Sequence, residues 1–226
     1  MEENRLPRSE MRPWQYAGVL LWLPMHVYGL PWLLVRFLPG LTAGGLNFWS
    51  YAIGAGLMTA LCLGFLRRDF DRLWERPLYI LGQALKGYLL LMAAEFLVSI
   101  LVYALMPEAN PNNEAILDLA QADRGRILAI TIVLAPLLEE LIFRGGIFGL
   151  LRRWNRWLAY VVCILAFGIY HIWQYALSDP LALLYLLQYL PAGYILCRSY
   201  EKTECIWTAI LLHMLNNSIS LLALGG

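Results

Sequence analysis

The stretch LYILGQALKGYLLLMAAEFLVSILVYALM, residues 78–106, decides the fold class of this chain. Its only charged residues are Lys86 and Glu95. It is longer than the roughly 20 helical residues that cross a hydrocarbon core of about 30 Å. The run is continuously apolar and lacks the alternation of apolar and polar residues that marks the strands of an outer-membrane barrel. Because backbone groups in hydrocarbon must be satisfied within the chain, this stretch predicts a transmembrane α-helix.

Six further apolar segments have a similar character. Together with residues 78–106 they predict an all-α, polytopic membrane bundle of about seven transmembrane helices. The composition of the 226 residues agrees with this fold class, since 60% are hydrophobic and only 15% are charged. The further segments lie at 14–37, 46–66, 127–150, 156–177, 181–198 and 206–224.

Short clusters of basic residues occur in alternate connections between these segments. By the positive-inside rule they predict that the N-terminus is inside and the C-terminus is outside. The outer connection at 107–126 balances its two arginines with four acidic residues, and residues 114–122 within it predict a short helix. The basic clusters are Arg5, Arg8 and Arg12; Arg67, Arg68, Arg72 and Arg76; Arg152, Arg153 and Arg156; and Arg198 with Lys202.

The charge and cysteine content exclude other classes of protein. The formal net charge is +1, and the basic residues cluster at span ends instead of forming one basic face, so nucleic-acid binding has no support. The four cysteines show neither a disulfide framework nor a zinc-type CxxC spacing. Because most of the chain is expected to lie in the membrane, membrane lipids are its first expected partners.

Strongly polar residues lie inside the predicted spans, where each is costly unless it has a partner or contacts water. Residues four apart share one face of a helix, whereas neighbours are turned by about 100°. One of two adjacent carboxylates can therefore face a cavity while the other pairs with an arginine. The three groupings are Glu139, Glu140 and Arg144; Phe167 and His171; and His213 and Asn217. Their depths in the spans allow them to meet near the midplane of the membrane.

Three ordered motifs carry a family resemblance. EELIFR (139–144), FGIYH (167–171) and HMLNN (213–217) resemble the EExxxR, FxxxH and HxxxN motifs of the CPBP family. These intramembrane endopeptidases are similar to the type II CAAX prenyl protease and to bacteriocin-processing or immunity proteins. The resemblance runs from Pro136 to the C-terminus, and the first three spans carry no motif.

The resemblance implies a division of labour among four residues. Glu139, with His171, would activate a water molecule for attack on a peptide carbonyl, and His213 and Asn217 would stabilise the resulting oxyanion. The expected substrate is a membrane-associated peptide or protein, and no cofactor is expected. Residues 127–226 would form a four-helix catalytic core, and residues 1–126 three N-terminal helices with the outer loop, within a single membrane domain.

Three other residues have supporting roles in this interpretation. Glu140 and Arg144 would brace the helix of Glu139, and Phe167 would pack beneath His171. The compact chain suggests a prokaryotic protein of the plasma membrane.

Alternatives stay open at the level of the sequence. Glu139 or Glu140, with His171 and His213, could be three ligands of a catalytic zinc ion, although the spacing lacks HExxH. A non-proteolytic immunity or scaffold protein could use the same cluster to bind a peptide or a lipid headgroup. A transporter or channel is a further alternative, suggested by the two charged residues of the third segment, Glu95 and Lys86. Glu95 could also face the cavity of a peptidase. The third histidine, His26 in the first span, is expected to be a satisfied packing residue.

Overall fold

A computed structural model describes residues 8–106 and 108–225, and for residues 224 and 225 it describes the backbone alone. Arg5, one of the basic residues behind the predicted orientation, lies outside the described residues. The helices are α1 (Pro13–Phe37), α2 (Ala43–Leu61), α3 (Leu63–Glu75), α4 (Pro77–Leu105), α5 (Pro111–Ala122), α6 (124–151), α7 (Arg156–Ser178), α8 (Leu186–Thr203, preceded by a 3₁₀ turn over Pro180–Tyr185) and α9 (Ile206–Gly225).

The predicted all-α, polytopic membrane bundle is confirmed. Five helical stretches in the described residues are long and apolar enough to cross a membrane, and six if the bent pair α2 and α3 is one span. Helix α6 is not among them because it carries Glu139, Glu140 and Arg144 together with two arginines at its start. The exact number of spans and the orientation of the termini stay predictions.

The predicted segment 46–66 is wrong at its C-terminal end. Helix α2 ends at Leu61, and α3 begins at Leu63 with its axis turned by 80°. Residues 67–76, expected to be a loop, are helical except for Arg76. The reason is an amphipathic pattern, because α3 buries Phe65, Leu66 and Asp69 and exposes Arg67 and Arg68.

The helix predicted in the outer connection is confirmed and begins slightly earlier, at Pro111. Asn110 caps it by accepting a hydrogen bond from the backbone N–H of Asn112, and a proline at the first helical position suits the missing donor. Asn110 also donates to Gln188 Oε1 at 2.7 Å and to the hydroxyl of Tyr189 at 3.1 Å. The outer connection is thereby attached to the start of α8.

Helix α6 is widened into π-helical turns over Ile130–Leu134 and Leu141–Phe148. The ordinary α-helical turn between them contains Pro136 and both glutamates of the first motif. Helix α6 packs closely on α1 at Gly146, because a β-carbon there would lie 2.8 Å from Cγ1 of Val19. The rotation of the glutamates thus depends on how α1 packs against α6. The division of the chain at residues 126 and 127 stays a prediction.

A buried polar network joins the ends of several helices. The Arg152 guanidinium binds both carboxylate oxygens of Glu204, at 3.0 and 2.7 Å, and also donates to the carbonyl of Ser9. Ser9 in turn donates to Asp69 and accepts from the hydroxyl of Tyr200. Residues preceding α1 are thereby attached to α3, α6 and α8.

Candidate active site

A cavity of about 700 Å³ lies between the helices and under α5. Helices α1, α2 and α4 to α9 all contribute to its wall. All four residues that the sequence predicts to be catalytic line it: Glu139, His171, His213 and Asn217. The three motifs, which are far apart in the chain, therefore meet at one site.

The Glu139 carboxylate lies between two imidazoles. Its Oε2 atom is 3.8 Å from Nε2 of His171 and 4.0 Å from Nε2 of His213. Both distances exceed a direct hydrogen bond, and Oε2 has no hydrogen-bond partner among the described residues. The gap between the carboxylate and each ring suits a bridging water molecule. Glu139 is only 3% exposed, so such a water would be held in a largely enclosed place.

The ring of His171 is held in one orientation. Its Nδ1 lies 2.8 Å from the carbonyl oxygen of Phe167, one helical turn earlier, and a carbonyl can only accept. Nδ1 therefore carries a proton, and in the neutral ring the Nε2 lone pair faces Glu139. Phe167 packs against the ring with centroids 4.6 Å apart, as predicted, and Tyr189 stacks on it, also at 4.6 Å. Because Tyr189 is bound by Asn110, the outer connection helps to hold His171.

Glu140 and Arg144 form the predicted ion pair and point away from the cavity. Arg144 Nη1 lies 3.0 Å from Glu140 Oε1, and both residues are 0% exposed. The guanidinium also donates to the carbonyl of Gly193 at 3.3 Å and lies over the ring of Phe167 at 4.3 Å. Such additional contacts offset part of the cost of burying the pair, although Nε of Arg144 and Oε2 of Glu140 have no hydrogen-bond partner among the described residues. The pair therefore joins α6 to α7 and α8.

The sequence did not predict that Glu140 also binds His213. The Nδ1 atom of His213 lies 2.8 Å from Glu140 Oε1, and since a carboxylate accepts, Nδ1 donates. One oxygen of Glu140 thus accepts from both Arg144 and His213. Spacing along the chain carries no signal for this contact, because the two residues are 73 positions apart.

Asn217 lines the cavity from α9. Its Nδ2 donates to the carbonyl oxygen of Thr131 at 2.9 Å, within the first π-helical turn of α6. An amide nitrogen has two hydrogens, so one remains for a ligand. The predicted roles of Asn217 and of the other three residues stay predictions, although their convergence on one cavity is established.

The cavity wall contains further polar residues, of which Tyr51 was not singled out by the sequence. The hydroxyls of Tyr51 and Tyr170 share a hydrogen bond of 3.0 Å. His26 packs edge-on against Tyr51 with ring centroids 4.8 Å apart, which confirms a packing role. Its Nδ1 nevertheless has no hydrogen-bond partner within the described chain, so the expectation of a satisfied ring is wrong at that atom.

The two charged residues of α4 differ in position. Glu95 lines the cavity, as one alternative anticipated, whereas Lys86 is exposed and does not line it. Within the part of the chain that the structure describes, no group of three His, Cys, Asp or Glu side chains is arranged to hold a metal ion. The zinc set of Glu139, His171 and His213 is therefore not recognisable as a metal site by its geometry.

Part of the chain matches a known family model, and two known proteins are similar to it. Residues 125–219 match the family model described as "Type II CAAX prenyl endopeptidase Rce1-like". The chain is 37% identical over 108 residues to the "Putative membrane peptidase YdiL" of Bacillus subtilis (strain 168), a match that covers 47% of this chain and 40% of that protein. It is 27% identical over 204 residues to the "Membrane-embedded CAAX protease MroQ" of Staphylococcus aureus (strain USA300), covering 83% of this chain and 80% of that protein. No solved structure matches the chain.

The fold and the site define a polytopic, helical membrane protein with a cluster of glutamate, histidine and asparagine side chains around one internal cavity. The match of residues 125–219 to the family model, together with both relatives, supports membership of the CPBP family. Both relatives are bacterial, in agreement with the prediction of a prokaryotic multi-pass membrane protein.

Proposed function

We propose that this protein is an intramembrane endopeptidase that hydrolyses peptide bonds of membrane-associated peptides or proteins. Its family and the names of its relatives support the general class. The observation that carries the proposal is the position of Glu139, whose free Oε2 atom faces two imidazole Nε2 atoms at 3.8 and 4.0 Å. A carboxylate in that position can take a proton from a water molecule held beside it.

The first step is attack of this water on the scissile carbonyl carbon. Glu139 accepts one proton of the water while the new C–O bond forms, and the π electrons of the carbonyl move onto its oxygen. His171 positions the water, because its Nε2 lone pair accepts a hydrogen bond from it while Nδ1 is held by Phe167.

The oxyanion of the tetrahedral intermediate is stabilised by two donors. His213 presents an Nε2 proton when the ring is protonated on both nitrogens, and the Nδ1 proton is bound by Glu140. Asn217 presents the amide hydrogen that Thr131 does not use. Donors already aimed at the site of developing charge are worth several kcal/mol in a site that excludes water, about 2.7–4 kcal/mol for one of them.

The second step is collapse of the intermediate. Glu139 returns the proton to the amide nitrogen, the C–N bond breaks, and the products are an amine and a carboxylic acid. The cycle consumes one water molecule and needs no redox cofactor. We further propose that the enzyme does not require a metal ion, since Glu139 and His171 supply the base and the orientation that a metal-bound water would otherwise need.

The direct test compares membrane peptides from cells that carry the wild type with those from cells that carry Glu139→Ala. We expect a set of cleavage products that disappears in Glu139→Ala and persists in Lys86→Gln, a matched control on an exposed residue outside the cavity. Identical peptide sets from the wild type and Glu139→Ala would count against proteolysis.

A further inference from the structure

The cavity holds a second carboxylate that the proposed hydrolysis does not use. Glu95 lies in α4, inside a span, and its side chain lines the same cavity as Glu139. The residue is partly buried. An ionisable group within a membrane is expensive and persists where it faces a partner or a water-filled cavity.

Glu95 has no lysine or arginine partner within the described residues. None of the ion pairs formed there includes it. The polar groups that face it are Asn216 and His213 of α9, and His213 already donates to the other carboxylate, Glu140. No described Lys or Arg side chain lines the cavity. The site therefore presents a carboxyl group beside which the described residues place no lysine or arginine.

The surrounding wall suits a side chain with an apolar stem and a charged end. Near the polar groups of α4 and α9 the lining includes hydroxyl and amide side chains, those of Ser99, Asn216 and Ser220. Other parts of the wall are apolar, with Leu91 one turn from Glu95 on the same helix and Leu196 on α8. A Lys or Arg side chain places methylene groups against such a surface and its charge on the carboxylate.

We propose that Glu95 anchors a subsite for a basic side chain, so that the substrates are membrane-associated peptides with a Lys or Arg close to the bond that is cut. The inference rests on the proposed peptidase function and names its substrate class. Glu95 is then a specificity residue, because it contacts the substrate and takes no part in the transfer of protons at the scissile bond.

Binding can be measured without cleavage by using the Glu139→Gln variant in phosphatidylglycerol vesicles. The probes are fluorescent, membrane-anchored peptides of leucine, alanine and serine in which a single lysine is moved through successive positions. Matched peptides carry norleucine or glutamate instead of that lysine. With Glu95 present, we expect one lysine position at which the lysine peptide binds about tenfold more tightly than the norleucine peptide. A gain of about tenfold in affinity is what one hydrogen bond to a charged group provides.

Variants of Glu95 then separate recognition from support of the site. Added to Glu139→Gln, Glu95→Gln should abolish the preference for lysine, and Glu95→Lys should reverse it in favour of the glutamate peptide. Lys86→Gln, on the same helix but outside the cavity, should leave the preference unchanged. Equal weakening of all three peptides by Glu95→Gln would overturn the proposal, since it is the result of a purely structural role beside His213. A protein that shows no preference for the lysine peptide in any register would overturn the proposal as well. The same holds if the preference is lost in vesicles that contain phosphatidylethanolamine, because the ammonium group of the lipid would then be the cation that Glu95 binds.

A parallel cleavage assay distinguishes failure of the subsite from failure of the peptidase function. Wild-type protein that cleaves the peptides without regard to the lysine contradicts the subsite alone. Wild-type protein that cleaves none of them, while Glu139→Gln binds the lysine peptide through Glu95, contradicts the peptidase function alone. The melting temperature of Glu95→Gln confirms that any loss does not reflect unfolding.

Discussion

The Nδ1 atom of His213 lies 2.8 Å from Oε1 of Glu140. This contact joins the first motif to the third and passes through a carboxylate that does not itself line the cavity. Glu140 is therefore more than a brace for its own helix, because it also sets the orientation of an imidazole on α9.

Arg144→Met should destabilise the protein strongly. It removes the cation from a fully buried carboxylate, and breaking a buried pair in this way costs about 3–5 kcal/mol. The measurement is thermal unfolding of purified protein in detergent. As a control, Arg156→Met breaks an exposed pair with Glu201 and should cost at most about 1 kcal/mol. Equal shifts in melting temperature for the two variants would contradict the structural role of Arg144.

Glu139→Gln should abolish cleavage without loss of stability. The substitution keeps the shape of the side chain and removes a buried oxygen that lacks a hydrogen-bond partner. Loss of a general base lowers kcat by about 10²- to 10⁴-fold. A cleavage assay in vesicles and a melting curve on the same preparation check both parts. Substantial cleavage by this variant would exclude Glu139 as the base.

Asn217→Ala should lower kcat by about 10²- to 10³-fold with little change in KM, because an oxyanion donor acts in the transition state. The variant also loses the bond to the carbonyl of Thr131, so its melting temperature must be measured alongside. Ser218→Ala is the matched control, since the neighbouring hydroxyl binds only the carbonyl of Met214 in its own helix. A rise in KM at constant kcat would instead show that Asn217 binds the ground state.

Gly193→Ala should destabilise the packing of α7 on α8. A β-carbon there would lie 3.1 Å from the Cα of Ile164, and backbone atoms cannot move aside as the end of a flexible side chain can. Overpacking of this kind costs about 1–3 kcal/mol. Gly82→Ala is the control, because its β-carbon would meet nothing within 4 Å and alanine favours the helix. A melting temperature for Gly193→Ala that equals or exceeds that of the wild type would show that the helices separate easily.

Exhaustive chelation should leave the activity unchanged, and purified protein should contain no stoichiometric metal. The zinc alternative makes the opposite prediction, because removal of a catalytic zinc ion abolishes activity that added zinc restores. Metal analysis of the same sample, before and after dialysis against a chelator, separates the two.

Relationships within one helix could be read from the sequence. The apolar segments predicted every long helix, since crossing hydrocarbon requires about 20 apolar residues. The repeat of 3.6 residues per turn placed Glu140 beside Arg144 and Phe167 beside His171, and both contacts are present. The bend at Cys62 was not predicted, because the apolar run of the sequence continues through this residue. The direction in which α3 leaves the bend depends on the helices against which its apolar face packs.

Relationships between helices were decided by the tertiary structure. The motifs indicated which residues belong to the site, but helical periodicity does not set the rotation of one helix against another. That rotation depends on side-chain packing, such as Gly146 against Val19, and on the π-helical turns of α6. Only the packed structure therefore brings His213 to Glu140 and Asn217 to the carbonyl of Thr131, and places Glu95 in the same cavity.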